Sequence, residues 1–135
     1  MSINISEQIK VDHALNYQTL NNSNANSVYF SMANYDRIQF IVDSAATTGN
    51  VNIQIRQSTD NTVGNSTTIS TVSNANIQGN ANTAATIEVR ATELNVSGGY
   101  YYVGIRITEV NTLNTAVSAV AIRTPARYKQ TTLLS

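Results

Sequence analysis

Strict alternation of apolar and polar side chains over VNIQIR, residues 51–56, at the head of VNIQIRQS, restricts this chain more than any other feature. Val51, Ile53 and Ile55 fall on one side and Asn52, Gln54 and Arg56 on the other. That is the period of a strand with one covered face. A Ser58-Thr59-Asp60-Asn61 turn follows, then a segment rich in Ser and Thr, so the stretch reads as strand, turn, strand. No residue in it carries obvious catalytic chemistry.

The same rhythm recurs along the chain. Residues 10–20 alternate weakly, with Val11, His13 and Leu15 expected on one side. NNSNAN, 21–26, reads as a loop, and SVYFSM, 27–32, as a short strand. RIQFIVD, 37–43, predicts a strand with Ile38, Phe40 and Val42 inward, and residues 44–50 a loop. In the turn after Ser58, Gly64 is available for a positive φ. Residues 66–72 return as a strand, and 73–83 form a long polar connection in which only Ile77 is a candidate for pairing. Residues 84–90 place Ile87 and Val89 inward, and a helical turn is expected near Ala91 to Leu94. The longest strand, 100–110, has Tyr101, Val103, Ile105 and Ile107 as its apolar face. The last strand, 115–123, is stopped by Pro125. About eight strands with regularly spaced turns predict a single-domain antiparallel β-sandwich, jelly-roll or Ig-like. Its body is expected over residues 10–123, between an N-terminal arm, 1–9, and a C-terminal tail, 124–135.

Length and charge narrow the function. The chain has 135 residues, the length of one domain with an adequate core, and no Cys to staple it. Eight basic and eight acidic residues cancel. No cluster of Lys and Arg suits a phosphate backbone, so nucleic acid is not an expected partner. No apolar run approaches a membrane span, and MSINISEQIK has no secretory pattern, so no membrane partner is expected either. Only Arg123, Arg127 and Lys129 make a locally basic segment, which reads most simply as a solvated tail. Asn, Thr, Ser and Gln supply the surface polarity, which suits a protein packed against other copies.

Candidate chemistry is sparse. His13 is the single His and has no HExxH or His-x-His companion, so it reads as a packing or surface residue. Eight scattered carboxylates offer no visible catalytic pair, and there is no Trp to floor a sugar cleft. Asp60, Asn61 and Asn65 lack the ligand spacing of a calcium loop and read as a turn. Neither a cofactor nor a metal is expected, and the chain reads as a non-enzyme. Tyr100 and Tyr102 would point outward if Tyr101 points in, either packing on a half-covered sheet or contacting a sugar or a protein.

Three segments bear a family likeness. They are YDRIQFIVDSAATTGNVNIQIRQSTDN (35–61), GGYYYVGIRITEV (98–110) and AVSAVAIRTPARYKQ (116–130). Together they resemble the accessory head proteins of tailed bacteriophages, which decorate or cement capsids. The first is similar to that family's strand, small-residue loop, VxVKIQES-type strand and Ser/Ala-Asp-Gly turn, with Asn61 where Gly is usual. The family's aromatic after this turn is replaced near Thr67 or Thr68. The resemblance implies a virion protein made in the host cytoplasm and bound in many copies to the major capsid protein on the capsid exterior. It also implies a homo-oligomer, trimers being common among decorators. On this view the two terminal segments are docking arms, and Arg123, Arg127, Tyr128 and Lys129 meet an acidic capsid surface. The alternative is a carbohydrate- or receptor-binding module of a fibre, neck or tail, with a glycan stacked on Tyr100 and Tyr102.

Overall fold

The computed structural model describes residues 9–44, 50–69, 75–77, 84–109 and 114–125. Residues 1–8 of the expected arm and 126–135 of the expected tail lie outside them, as do Arg127, Tyr128 and Lys129. Strand β10 continues to Pro125, two residues past the expected end of the body.

Among the described residues the chain forms ten strand segments in two antiparallel sheets, an all-β sandwich. They are β1 (Lys10–Leu20), β2 (Asn24–Asn26), β3 (Phe30–Ser31), β4 (Tyr35–Ser44), β5 (Val51–Ser58), β6 (Ser66–Thr68), β7 (Ala75–Ile77), β8 (Ala84–Arg90), β9 (Tyr102–Glu109) and β10 (Thr115–Pro125). One sheet has the order β1-β10-β4-β8; the other has β2-β9-β5-β6, with β3 also on β9 and β7 also on β5. If β2 and β3 share one position and β6 and β7 another, the first position pairs the last, the second pairs the seventh, the third the sixth and the fourth the fifth. This is a nested hairpin rolled into two layers, the jelly-roll rather than the Ig-like arrangement. The β10–β4 and β9–β5 ladders join the nested pairs into continuous sheets.

The core follows from the alternation. Ile38, Phe40 and Val42 of β4, Val51, Ile53 and Ile55 of β5, and Val103, Ile105 and Ile107 of β9 are fully buried. Each such side chain contributes about 1.5–3 kcal/mol through removal from water. Phe40 sits in register between Ala121 and Ile87, so a small neighbour on one strand makes room for the large ring. Its ring meets Phe30, from the other sheet, at 6.2 Å between centroids. Ile77 pairs with Val51 as expected, and a short helical turn occupies Ala91–Glu93.

Several expectations are corrected. β1 does not keep Val11, His13 and Leu15 on one side: the register shifts between His13 and Leu15 and again between Leu15 and Gln18. Adjacent Ala14 and Leu15 are therefore both buried, His13 is exposed, and Val11 is 59% exposed. The expected loop 21–26 contains β2, because its backbone groups, not its Asn side chains, complete the ladder to β9. The expected strand 27–32 is interrupted. Ser27 donates its N–H to the Ile105 carbonyl (2.9 Å) and accepts from the Ile105 N–H through Oγ (2.9 Å), so residues 28 and 29 leave the ladder. Positive φ falls at Asn22 (45°) and Gly99 (86°), not at Gly64. Tyr101 precedes β9 and is 44% exposed instead of inward.

Candidate interaction surfaces

Arg123 is on the inward parity of β10, with Val117, Ala119 and Ala121, and it is buried. Its guanidinium donates to Asp12 Oδ2 (2.8 Å) on β1 and to the Ser31 carbonyl (2.9 Å) on β3. It lies 5.2 Å from the Phe30 ring centroid and 4.4 Å from that of Tyr35. Arg123 thus ties both sheets together from within, and this corrects its assignment to a partner-facing basic patch.

Tyr102 lies on the outer parity of β9, opposite Ser31 and Ser58, and is half-buried; Tyr100 is half-buried just ahead of it. The chain reaches them through Gly99, whose φ of 86° follows the turn capped by Asn95. Asn95 Oδ1 accepts from the Gly98 N–H at 3.1 Å. The exposed member of the Tyr triplet is Tyr101, so Tyr100 and Tyr102 do not stand out as a pair.

The described carboxylates are dispersed. Asp12 pairs with Arg123, Asp36 and Glu88 both pair with Arg37, and Glu93 accepts from the Arg90 N–H. Buried Glu109 accepts from the Asn22 N–H at 2.6 Å and so pins the bend between β1 and β2. Asp60 accepts from the Thr62 hydroxyl and N–H, from the Asn65 amide at 2.8 Å and from the Ser58 hydroxyl. These bonds, the Thr62 hydroxyl first, hold its carboxyl below the ordinary value of 3.8. They also use its oxygens for the turn itself, as the sequence led one to expect of Asp60, Asn61 and Asn65. Among the described residues no group of three or more His, Cys, Asp or Glu could hold a metal ion, and no helix is long and apolar enough to cross a membrane.

The outer face of the four-stranded sheet presents a feature that reading the strands as one-sided missed. Val11 pairs with Ile122, His13 with Val120, and Val120 in turn with Ile41. Val120, Ile122 and Ile41 alternate with buried residues on their strands, so with Val11 they make an outward apolar ribbon across β1, β10 and β4. The Arg37–Glu88 ion pair (3.2 Å) borders it. The signal was present in AVSAVAI, where both parities are apolar, the mark of a strand covered on two faces.

No family model matches this chain, and no curated protein matches it either. Solved structures share its fold. It is similar to the PBSX exported protein XepA (14% identity, TM-score 0.62), over 94% of this chain but only 40% of that one. It is similar to a protein of Triatoma virus (9% identity, TM-score 0.59), over 93% of this chain and 67% of the other. A third similar structure comes from Bacillus endospore appendages, described as disulfide-linked pili (15% identity, TM-score 0.50; 87% and 88% covered).

Proposed function

We propose that this chain is a non-enzymatic structural protein of a bacteriophage virion. In this reading it is an auxiliary head protein that decorates the capsid exterior and stabilises the head by binding the major capsid protein. The observation that carries the reading is the outward ribbon of Val11, Ile122, Val120 and Ile41 on the four-stranded sheet. An apolar centre with a polar rim is what a protein interface needs, and binding of this kind depends on shape and area instead of a reactive group. The jelly-roll, shared in fold with a Triatoma virus protein, suits assembly in many copies. The terminal segments, with Arg127, Tyr128 and Lys129, serve as docking arms around that contact, and copies associate with one another on the particle.

Two measurements test this. Quantitative mass spectrometry of purified virions should find the chain at a copy number on the order of the capsomers; its absence would end the proposal. Val120→Asp should fold and lose only a few degrees of melting temperature, because Val120 is half-buried on the outward side of β10. It should weaken binding to undecorated heads by about thirtyfold or more, the size of a central interface residue. Undiminished binding by a folded Val120→Asp variant would remove the sheet face from the contact.

A further inference from the structure

The outer face of the other sheet is chemically unlike the ribbon. Its outward residues include Asn52, Gln54 and Arg56 on β5 and Tyr102, Gly104 and Arg106 on β9. Gln54 is directly opposite Arg106 and Arg56 directly opposite Gly104, so the two arginines are diagonal neighbours. Such neighbours lie roughly 7–8 Å apart, their Cβ atoms somewhat closer. They lean away from each other. Arg56 donates from Nε to Ser66 Oγ (3.0 Å), from one terminal nitrogen to the Ser66 carbonyl (2.9 Å) and from the other to Gln54 Oε1 (2.9 Å), which draws it toward β6. Arg106 donates from Nε to Asn26 Oδ1 (3.0 Å), which draws it toward β2. All these partners are neutral.

Neither arginine forms an ion pair among the described residues, and the described carboxylates are engaged or placed elsewhere. Asp12 and Glu88 are bound to arginines, Asp43 and Asp36 lie on the other sheet's strand β4, and Glu93 and Glu109 accept from the backbone. Asp60, in the turn beyond β5, is taken up by Thr62 and Asn65. Beside Arg56 and Arg106 the face is closed: Gly104 is buried beneath the Tyr29 ring, itself only 3% exposed, and a Cβ on Gly104 would lie 2.7 Å from that ring. The Tyr29 hydroxyl is buried without a hydrogen-bond partner among the described residues.

We infer that this face binds an acidic glycan, a carboxylate-bearing sugar chain whose anionic groups meet Arg56 and Arg106 and whose hydroxyls meet Gln54 and Asn26. Two fixed cations on diagonal positions suit charges repeated along a polymer better than one small anion. Among the described residues Arg106 is held through Nε alone and keeps both terminal nitrogens for a carboxylate, while Arg56, bonded to Ser66, Gln54 and Thr68, adds chiefly its charge. Among the described residues the outward positions of β5 and β9 hold amides, hydroxyls, the two guanidinium groups and the half-buried Tyr102, with no aliphatic side chain of the kind a protein interface uses. The site is on the sheet opposite the ribbon offered for capsid contact, so the two readings stand or fall separately.

The test is calorimetric titration of the full chain with hexagalacturonate, its neutral methyl ester and inorganic polyphosphate. Hexagalacturonate should bind, more weakly as NaCl rises, and the ester should bind about tenfold or more weakly, as loss of a charge-assisted contact predicts. Arg106→Gln should reproduce the loss, Arg106→Lys should recover part of it, and amide shifts on titration should centre on Gln54, Gly104 and Arg106. Arg106 is half-exposed, so both variants should keep the parental melting temperature. No binding of hexagalacturonate, equal binding of the ester, or full binding by folded Arg106→Gln overturns the proposal. Polyphosphate binding equal to that of hexagalacturonate also overturns it, because the face would then read charge and not sugar.

Discussion

Replacing Arg123 gives a direct measure of how the two sheets are held together. Its guanidinium makes two charge-assisted hydrogen bonds, to Asp12 and to the Ser31 carbonyl, and rests on the Phe30 and Tyr35 rings. Each such hydrogen bond is worth about 1.5–3 kcal/mol, and each cation–π contact about 0.5–2 kcal/mol. These values do not add fully, because one rigid group makes all the contacts. The Asp12 side chain is 29% exposed and rehydrates once its partner is removed, which reduces the loss. Arg123→Ala should therefore destabilise by about 3 kcal/mol, or roughly 10 °C in melting temperature for a domain of this size. Arg123→Met should lose only about 1 kcal/mol, since it keeps the stem packed and removes a cation whose Nε is buried without a partner among the described residues. Thermal unfolding followed by circular dichroism reads both values. A double-mutant cycle with Asp12→Ala should show about 1–2 kcal/mol of coupling. An Arg123→Ala protein that melts with the parent, or a cycle with zero coupling, would refute the assignment of this residue to the interior.

Three further outcomes are expected. Gly104→Ala drives a Cβ to within 2.7 Å of the Tyr29 ring, so it should lose about 1–2 kcal/mol in urea unfolding, with the loss abolished in a Tyr29→Ala background. Gly99→Ala should lose about 1–2 kcal/mol because φ is 86° there, and Gly64→Ala, with open space around it and no positive φ, should not. Asp60 has a folded-state carboxyl pKa depressed below its unfolded value, so the stability it contributes is present above about pH 4 and is lost as pH falls through the folded value. Its side-chain carbon resonance in a pH titration should shift with a midpoint below 3.8, and Thr62→Val should raise that midpoint.

The strands that alternate cleanly were legible because one face had to be dry. Ile38/Phe40/Val42, Ile53/Ile55, Ile87/Val89 and Val103/Ile105/Ile107 all turned inward as their period dictates. The candidate surfaces were less legible. Tyr102 was placed correctly on an outer face, but Arg123 was taken for a surface cation. Its neighbours Asp12, Phe30, Ser31 and Tyr35 come from distant parts of the chain, so local sequence carries no sign of the cage around it. The arginine pair was hidden for the same reason, and of the ribbon only the β10 part was visible, in the two apolar parities of AVSAVAI. Val11 meets Ile122, and Arg106 lies diagonal to Arg56, only after the strand order is fixed.

The sequence alone determined that this chain builds sheets, which strands have a core side, and that its turns are polar, since these follow from side-chain period and backbone preference within a few residues. The tertiary structure alone decided the jelly-roll order, the two slips in β1 and the composition of the two outer faces. Those depend on which remote strands share backbone hydrogen bonds, and hydrogen-bonding groups of the backbone are nearly the same in every residue.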